Sequence, residues 1–253
     1  MILDSFRLSG KNALVTGSQK GLGAAIAIAL AQAGANVALH CRSADPKETA
    51  ESVRASGVGA VSLRGDVADA EVCEELVDGT VRQFGSIDIL VNNAGIIRRA
   101  PAVEYSAKDW CDVLEVNLNS MFRLCQAAGR HMLKQGSGKI INIASLLSFQ
   151  GGVFVPAYAA AKGGVAQLTK ALANEWAAKG INVNAIAPGY METANTAALR
   201  ADATRNRQIL ERIPAGRWGK PEDLGGTAVF LASEASNYMH GHVLVVDGGW
   251  MAR

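Results

Sequence analysis

The sequence has little cysteine, few aromatic residues and almost no excess of charge. Its cysteines lack Cys-x-x-Cys spacing, so they predict reduced core thiols of a cytoplasmic protein, with neither a disulfide framework nor a metal site. The four cysteines are Cys41, Cys73, Cys111 and Cys125. Aromatic residues make up 6% of the chain and the net charge is +2, which argues against nucleic-acid binding.

Long apolar runs are also missing. The first residues, MILDSFRLSGK, mix acid and base and lack the apolar core of a signal peptide. No later run approaches the roughly 20 apolar residues that a membrane helix requires. The sequence therefore predicts a protein of the cytoplasm that has no membrane partner.

What the sequence does contain is an alternation of short β-branched runs and longer helical patterns. This rhythm is typical of βα units around a parallel sheet, and no linker rich in proline, serine or charge interrupts it. We therefore predict a single α/β domain over residues 1–253. The predicted strands are 13–16, 36–41, 61–64, 87–92, 139–144, 182–187 and 243–246.

The segments between the strands carry two helix-start signals and one unusual insertion. The pair Asp45-Pro46 predicts a helix that begins at Pro46 and is capped by the Asp45 side chain. Ser106 is a looser candidate cap for a later helix. Residues 188–218 are too long for an ordinary βα connection and are broken by glycine and proline at both ends. Such insertions often cover the active sites of α/β enzymes, so we predict a lid here.

Tyr158 and Lys162 stand four residues apart in PAYAAAKGG. One helical turn would bring the phenol and the ammonium to the same face. A neighbouring lysine charge stabilises a phenolate, which predicts a tyrosine pKa below its ordinary value of about 10. Such a tyrosine could exchange a proton with a carbonyl or alcohol oxygen. By itself the spacing also fits a packed ring beside a solvated amine.

A glycine-rich turn, TGSQKGLG, lies between the first predicted strand and an alanine-rich helix. Gly17, Gly21 and Gly23 would let a pyrophosphate approach the backbone and meet the unpaired amides of the helix N-terminus. The spacing has two more residues between the first two glycines than the common G-x-G-x-x-G dinucleotide pattern. A plain turn is the alternative interpretation of the glycines alone.

Three further polar positions follow or interrupt apolar segments. Asn93, within NNAG, follows the run IDILV, and Ser145 follows KIINIA, thirteen positions before Tyr158. Open α/β sheets bind ligands at such strand ends, although a turn or a helix cap fits the same residues. Asn117 interrupts an otherwise apolar helix in LEVNLNS, where a buried, hydrogen-bonded amide is the alternative.

Taken together and in this order, these motifs resemble the short-chain dehydrogenase/reductase family from Leu8 to the C-terminus. The resemblance implies a Rossmann-like fold with a doubly wound, seven-stranded parallel sheet, a homotetramer and an NAD(P) cofactor. It implies that Tyr158 is the general acid/base and that Ser145 holds the substrate oxygen. Lys162 would bind the nicotinamide ribose and lower the tyrosine pKa, and Asn117 would position a water in the proton relay.

The same resemblance implies a set of cofactor-binding residues. Asp66 and Val67 would contact the adenine, and Pro188 and Gly189 would form the turn beside the nicotinamide. The full set is Gly17, Ser18, Lys20, Gly21, Leu22, Gly23, Arg42, Asp66, Val67, Asn93, Ala94, Gly95, Tyr158, Lys162, Pro188 and Gly189.

Charge near the second strand bears on the choice between NADP and NAD. Members that prefer NAD usually have an acid where Cys41 stands, whereas this chain has no acid there, Arg42 next and Lys20 in the glycine turn. Two cations and no acid favour a 2′-phosphate, and hence NADP. NAD or dual use remains open, because surface cations often point to solvent.

The loops expected to surround the site resemble the branch of the family that acts on sugar acids such as 2-dehydro-3-deoxy-D-gluconate or 2-deoxy-D-gluconate. An anionic substrate needs cations and polar groups. The candidate substrate-binding residues are Ser145, Gln150, Tyr158, Arg98 and Asn195, within a wider group of arginines at 98, 99, 200, 205 and 207. The alternatives are a gluconate 5-dehydrogenase, a 3-oxoacyl-carrier-protein reductase and a non-catalytic dinucleotide-binding regulator.

Overall fold

A computed structural model describes all 253 residues and contains one seven-stranded sheet. The strands are β1 (Asn12–Val15), β2 (Asn36–Cys41), β3 (Ala60–Arg64), β4 (Ile89–Asn92), β5 (Gly138–Ile143), β6 (Ile181–Pro188) and β7 (Val243–Val246). Their order is β3-β2-β1-β4-β5-β6-β7, and every pair is parallel. All seven predicted strands are present with ends within two residues, and the predicted fold class is confirmed.

Helices cover both faces of the sheet. They are α1 (Gly21–Gln32), α2 (Lys47–Ala55), α3 (Ala70–Phe84), α4 (Ala107–Leu114), α5 (Ser120–Gln135), α6 (Pro156–Trp176), α7 (Ala197–Ala201), α8 (Ala203–Arg212) and α9 (Gly225–Ala232). Between α4 and α5 the backbone forms a π-helical turn over Glu115–Asn119. None of the helices combines the length and the apolar composition that crossing a membrane requires.

The core lies in two layers because successive side chains of a strand point to opposite faces. In β1, Leu14 packs into the layer that contains Leu124 of α5, whereas Ala13 and Val15 pack into the layer that contains Ile26 of α1. All four residues of β1 are buried. Burial on both faces explains why residues 13–15 of this strand form an unbroken apolar run.

The strand order reverses between β1 and β4. The chain winds outward from β1 through β2 to β3, then returns to β4 on the other side of β1. The loops that leave β1 and β4 therefore diverge and open a crevice at the carboxyl ends of these strands, where open α/β sheets bind their ligands. The glycine turn after β1 and the NNAG segment after β4 meet in this crevice.

Two local predictions were wrong. Helix α2 begins at Lys47, so Pro46 occupies the N-cap position one residue earlier than predicted, and no side chain caps the helix. The Asp45 carboxylate instead accepts a hydrogen bond from the Ser62 hydroxyl at 3.3 Å. Cys111 is exposed, whereas the other three cysteines are buried as predicted.

The insertion after β6 contains α7 and α8 and folds back onto the main body. Ile209 and Ile213 pack in a small apolar cluster with Trp218, Leu146 and Trp250, which ties the insertion to the carboxyl end of β5 and to the C-terminus. Asp202 caps α8 by accepting hydrogen bonds from the Thr204 and Arg205 amides, both at 3.0 Å. The insertion therefore lies over the carboxyl ends of the strands, which is the position that the predicted lid requires.

Candidate active site

The glycine turn and the NNAG segment are held together by a network of short hydrogen bonds. The Asn93 amide group donates to the carbonyl oxygens of Thr16 (2.9 Å) and Gly17 (3.0 Å). In return, the Thr16 hydroxyl accepts from the backbone amides of Asn93 (2.9 Å) and Ala94 (3.0 Å). A Cβ on Gly23 would lie 2.3 Å from the Gly17 carbonyl oxygen, so the turn closes only with glycine there.

Gly21 differs from the other glycines of the turn. Its φ is +60°, and an added Cβ would meet only the Thr193 side chain, at 3.8 Å, so this side of the turn is open. Gly21 is also the first residue of α1, whose N-terminus has no side-chain cap. Unpaired amides beside open space can accept an anionic group.

Two residues next to the turn serve its structure. Ser18, a predicted cofactor contact, is buried, and its hydroxyl donates to the His40 carbonyl oxygen at 3.3 Å, so its side chain faces inward and not the crevice. The His40 ring accepts from the Gly17 amide (3.2 Å) through Nδ1 and donates to the Gly65 carbonyl (3.0 Å) through Nε2. Burial lowers the pKa of His40, which favours the neutral ring that this pattern requires. No motif in the sequence pointed to this contact, because Gly17, His40 and Gly65 lie in distant parts of the chain.

The predicted adenine and 2′-phosphate positions lie together at the ends of β2 and β3. Arg42 is exposed and its Nη1 lies 3.9 Å from Oδ2 of the half-buried Asp66, and Lys20 is exposed in the glycine turn. Val67 is buried in the core, so its side chain contributes packing. Cys41 is 2% exposed and its thiol points to the Leu63 carbonyl, so no charged group stands at that position.

Tyr158 and Lys162 both lie on α6, as predicted, with the lysine Nζ 5.6 Å from the centre of the tyrosine ring. The expected direction of the tyrosine pKa was wrong. Burial raises the pKa of Tyr158 above its ordinary value, and the neighbouring Ser145 hydroxyl and Arg99 guanidinium only partly offset this effect. The phenol therefore keeps its proton at neutral pH in this structure.

Lys162 is 3% exposed and has no acidic partner. Its Nζ donates to the Ile143 carbonyl oxygen at 2.5 Å, at the end of β5. Burial lowers the pKa of Lys162 to about 8. The ammonium group therefore has one protein acceptor and can still donate to further oxygens.

Asn117 lies in the π-helical turn and is fully buried. Its amide nitrogen donates to the carbonyl oxygens of Ile96 (2.9 Å) and Val113 (2.8 Å), whereas its Oδ1 has no hydrogen-bond partner. A Cβ on Gly95 would lie 2.6 Å from that Oδ1. Gly95 is therefore required for packing against Asn117, and the asparagine fixes the loop after β4.

Ser145 follows β5 and precedes a short helical turn at Leu146–Ser148. Its oxygen accepts from the Leu147 amide at 3.2 Å, which fixes the side chain and leaves its hydrogen for another acceptor. Ser145 can therefore cap this turn and still act as a catalytic residue, so the two predicted roles are compatible.

A cavity of about 500 Å³ lies over Tyr158 and Ser145. Its wall includes the predicted residues Leu22, Gln150, Pro188, Gly189 and Asn195, with lid residues on the outer side. Three arginines also line it, Arg99 from the loop after β4 and Arg205 and Arg212 from α8. None of the three lies within ion-pair distance of a carboxylate. Sequence reasoning missed Arg212, because only the folded α8 shows that it faces inward.

Arg98 was predicted to bind substrate, and its position in the structure does not support that role. It does not line the cavity, and its Nε lies 3.4 Å from the Asp109 carboxylate on the outer side of the loop. Arg207 also lies outside the cavity, 3.8 Å from Glu211. Adjacent residues of an extended loop point in opposite directions, so Arg98 faces away where Arg99 faces in.

Comparison with known proteins now identifies the family. Residues 17–251 match the family model described as Enoyl-(Acyl carrier protein) reductase. The chain belongs to the short-chain dehydrogenase/reductase family. A 2-dehydro-3-deoxy-D-gluconate 5-dehydrogenase from Bacillus subtilis (strain 168) is 57% identical over 252 residues, which cover 99% of this chain and 98% of that relative.

Two solved structures are also similar to the chain. One is a structure from Agrobacterium tumefaciens, named as a candidate 2-deoxy-D-gluconate 3-dehydrogenase, with bound NADP. It is 58% identical to this chain with a TM-score of 0.93, and the match covers 99% of this chain and 100% of that one. The other is a gluconate 5-dehydrogenase from Burkholderia cenocepacia J2315 in complex with NADP and tartrate. It shares 43% identity and a TM-score of 0.94, with complete coverage of both chains.

Proposed function

We propose that this chain is an NADP-linked oxidoreductase that interconverts a secondary alcohol and a ketone of a sugar acid, 2-dehydro-3-deoxy-D-gluconate or 2-deoxy-D-gluconate. The observation that carries the proposal is the cavity in which Tyr158 and Ser145 face Arg99, Arg205 and Arg212. A guanidinium without an acidic partner suits a carboxylate, and Gln150 and Asn195 suit hydroxyl groups. The names of the similar proteins support the same substrate class.

The crevice fits a dinucleotide. The open side of Gly21 and the uncapped N-terminus of α1 suit the diphosphate. Lys20 and Arg42 suit a 2′-phosphate, which favours NADP, and bound NADP in the two similar structures supports that choice. When bound, the nicotinamide supplies or accepts the hydride.

The protein's own groups then manage the oxygen and its proton. Tyr158 donates its proton to the ketone oxygen during reduction and accepts the alcohol proton during oxidation. Ser145 donates a hydrogen bond to the same oxygen with the hydrogen that its backbone contact leaves free. Lys162 offers its ammonium to the ribose hydroxyls, and Asn117 offers its unpartnered Oδ1 to a water of the relay.

A gluconate 5-dehydrogenase is the second candidate. The Burkholderia cenocepacia structure of that name supports it, and the same cavity would accept gluconate, which is also a sugar acid. A 3-oxoacyl-carrier-protein reductase fits less well, because three guanidiniums without acidic partners make a poor acyl channel. We further propose a single domain over residues 1–253 that assembles as a cytoplasmic homotetramer.

The test measures reduced-nicotinamide absorbance while 2-dehydro-3-deoxy-D-gluconate, 2-deoxy-D-gluconate, gluconate and an acetoacetyl thioester are each offered with both cofactors. We expect turnover with the first or second acid and a higher kcat/KM with NADP than with NAD. Preference for gluconate would select the second candidate. Preference for the thioester would overturn the sugar-acid proposal.

A further inference from the structure

Arg200, in α7 of the lid, has a property that the proposed function does not use. It does not line the cavity over Tyr158, so it is placed away from the substrate. No carboxylate lies within ion-pair distance of its guanidinium, and its buried Nε has no hydrogen-bond acceptor. Burying part of a guanidinium without an acceptor is unfavourable, so this side chain suits an anion that contacts the lid.

The position of Arg200 points to one anion in particular. Its Nη2 donates to the Thr193 carbonyl oxygen at 3.4 Å. The Thr193 side chain is the nearest group to Gly21 on the open side of the glycine turn. Thr193 therefore lies between Arg200 and the uncapped N-terminus of α1, at the open side of the glycine turn.

We propose that Arg200 binds the diphosphate of NADP from the lid side, opposite the amides of α1. The inference rests on the proposed cofactor and extends it, because it makes the lid part of the dinucleotide site. A diphosphate offers oxygens on more than one side, and the planar guanidinium can donate two parallel hydrogen bonds to them. Cofactor binding would then also hold α7 against the glycine turn.

The experiment measures the Kd of NADP by titration calorimetry for the full-length protein and for the variants R200M, R200K and R207M. We expect R200M to weaken NADP binding roughly ten- to a hundredfold, the usual range for a hydrogen bond to a charged group. R200K keeps a point charge but loses the paired geometry, so we expect an intermediate loss. Arg207 is the matched control, an exposed lid arginine paired with Glu211, and R207M should bind NADP like the parent.

A second ligand locates the contact on NADP. Adenosine 2′-monophosphate has the 2′-phosphate but no diphosphate, so R200M should bind it as tightly as the parent does. Equal NADP affinities of R200M and R207M, or equal losses for NADP and adenosine 2′-monophosphate, would overturn the inference. If R200M does not fold, R200K decides, and parental NADP affinity in R200K would overturn it. A parent protein that binds no dinucleotide would instead overturn the proposed function.

Discussion

The Lys162 ammonium lies 5.6 Å from the centre of the Tyr158 ring and donates its one observed hydrogen bond to the backbone carbonyl of Ile143. The structure shows no direct hydrogen bond between the lysine and the phenol. Burial dominates both groups, raising the pKa of Tyr158 and lowering that of Lys162 to about 8. At neutral pH the tyrosine is protonated, which is the form that can protonate a ketone.

Removing the Tyr158 hydroxyl tests its role as acid and base. Tyr158→Phe keeps the ring packing, so we expect kcat to fall by roughly 10²–10⁴-fold, the usual contribution of a general acid, while the Kd of NADP stays unchanged. Steady-state kinetics and calorimetry give the two values. Near-parental kcat in this variant would rule out the assigned mechanism.

Lys162 is expected to reduce stability at neutral pH. It is charged in the unfolded chain, and burial of that charge costs free energy, so Lys162→Met should raise the free energy of unfolding at pH 7 by about 2 kcal/mol. Between about pH 8 and the ordinary lysine value of 10.5, the folded protein binds fewer protons than the unfolded chain. Parental stability should therefore rise with pH across this window, and the difference from the variant should shrink.

Urea unfolding at pH 7 and pH 10 measures that difference. Lys170→Met is the matched control, because Lys170 lies on the same helix but is exposed. We expect the control to change stability little at either pH. A Lys162→Met protein less stable than the parent at pH 7 would contradict the burial argument.

Cofactor preference should depend on the two exposed cations at the ends of β1 and β2. Replacing Lys20 and Arg42 together by serine should lower the ratio of kcat/KM for NADP to that for NAD by about tenfold or more, because a 2′-phosphate loses both partners. Arg82→Ser, at an exposed position of α3, serves as the control. An unchanged ratio in the double variant would place cofactor discrimination elsewhere.

The neighbouring arginines Arg98 and Arg99 allow a sharp test of substrate charge. Arg99→Gln should raise KM for the sugar acid about tenfold or more, whereas Arg98→Gln, which lies outside the cavity beside Asp109, should change it little. The comparison is repeated with 2-deoxy-D-glucose, which lacks the carboxylate. Any weak activity on this sugar should survive the loss of Arg99.

A larger effect of Arg98→Gln than of Arg99→Gln would contradict the orientation seen in the structure. Equal losses on the acid and on the neutral sugar would show that Arg99 supports the fold of the loop and not the carboxylate. Arg205→Gln and Arg212→Gln extend the test to α8 and show which of the three guanidiniums carries most of the binding.

Much of this protein follows from local sequence pattern. The seven strands could be placed because buried parallel strands are short apolar runs between helical segments, and the glycine turn and the Tyr158–Lys162 pair could be placed because their geometry spans only one turn. Helix ends were less predictable, as Pro46 shows, since a one-residue shift changes few contacts.

Tertiary structure alone decided which way each side chain faces and how strongly it is buried. From the sequence, Arg98 was predicted as a substrate-binding residue and Arg99 only as a neighbouring arginine, yet of these two only Arg99 lines the cavity. Arg212 also lines it, because the fold of α8 places its side chain there. Spacing also predicted that Lys162 lowers the pKa of Tyr158, whereas the packed site raises it. The reason is physical: solvation depends on atoms brought together from distant parts of the chain, and these distances are absent from any local pattern.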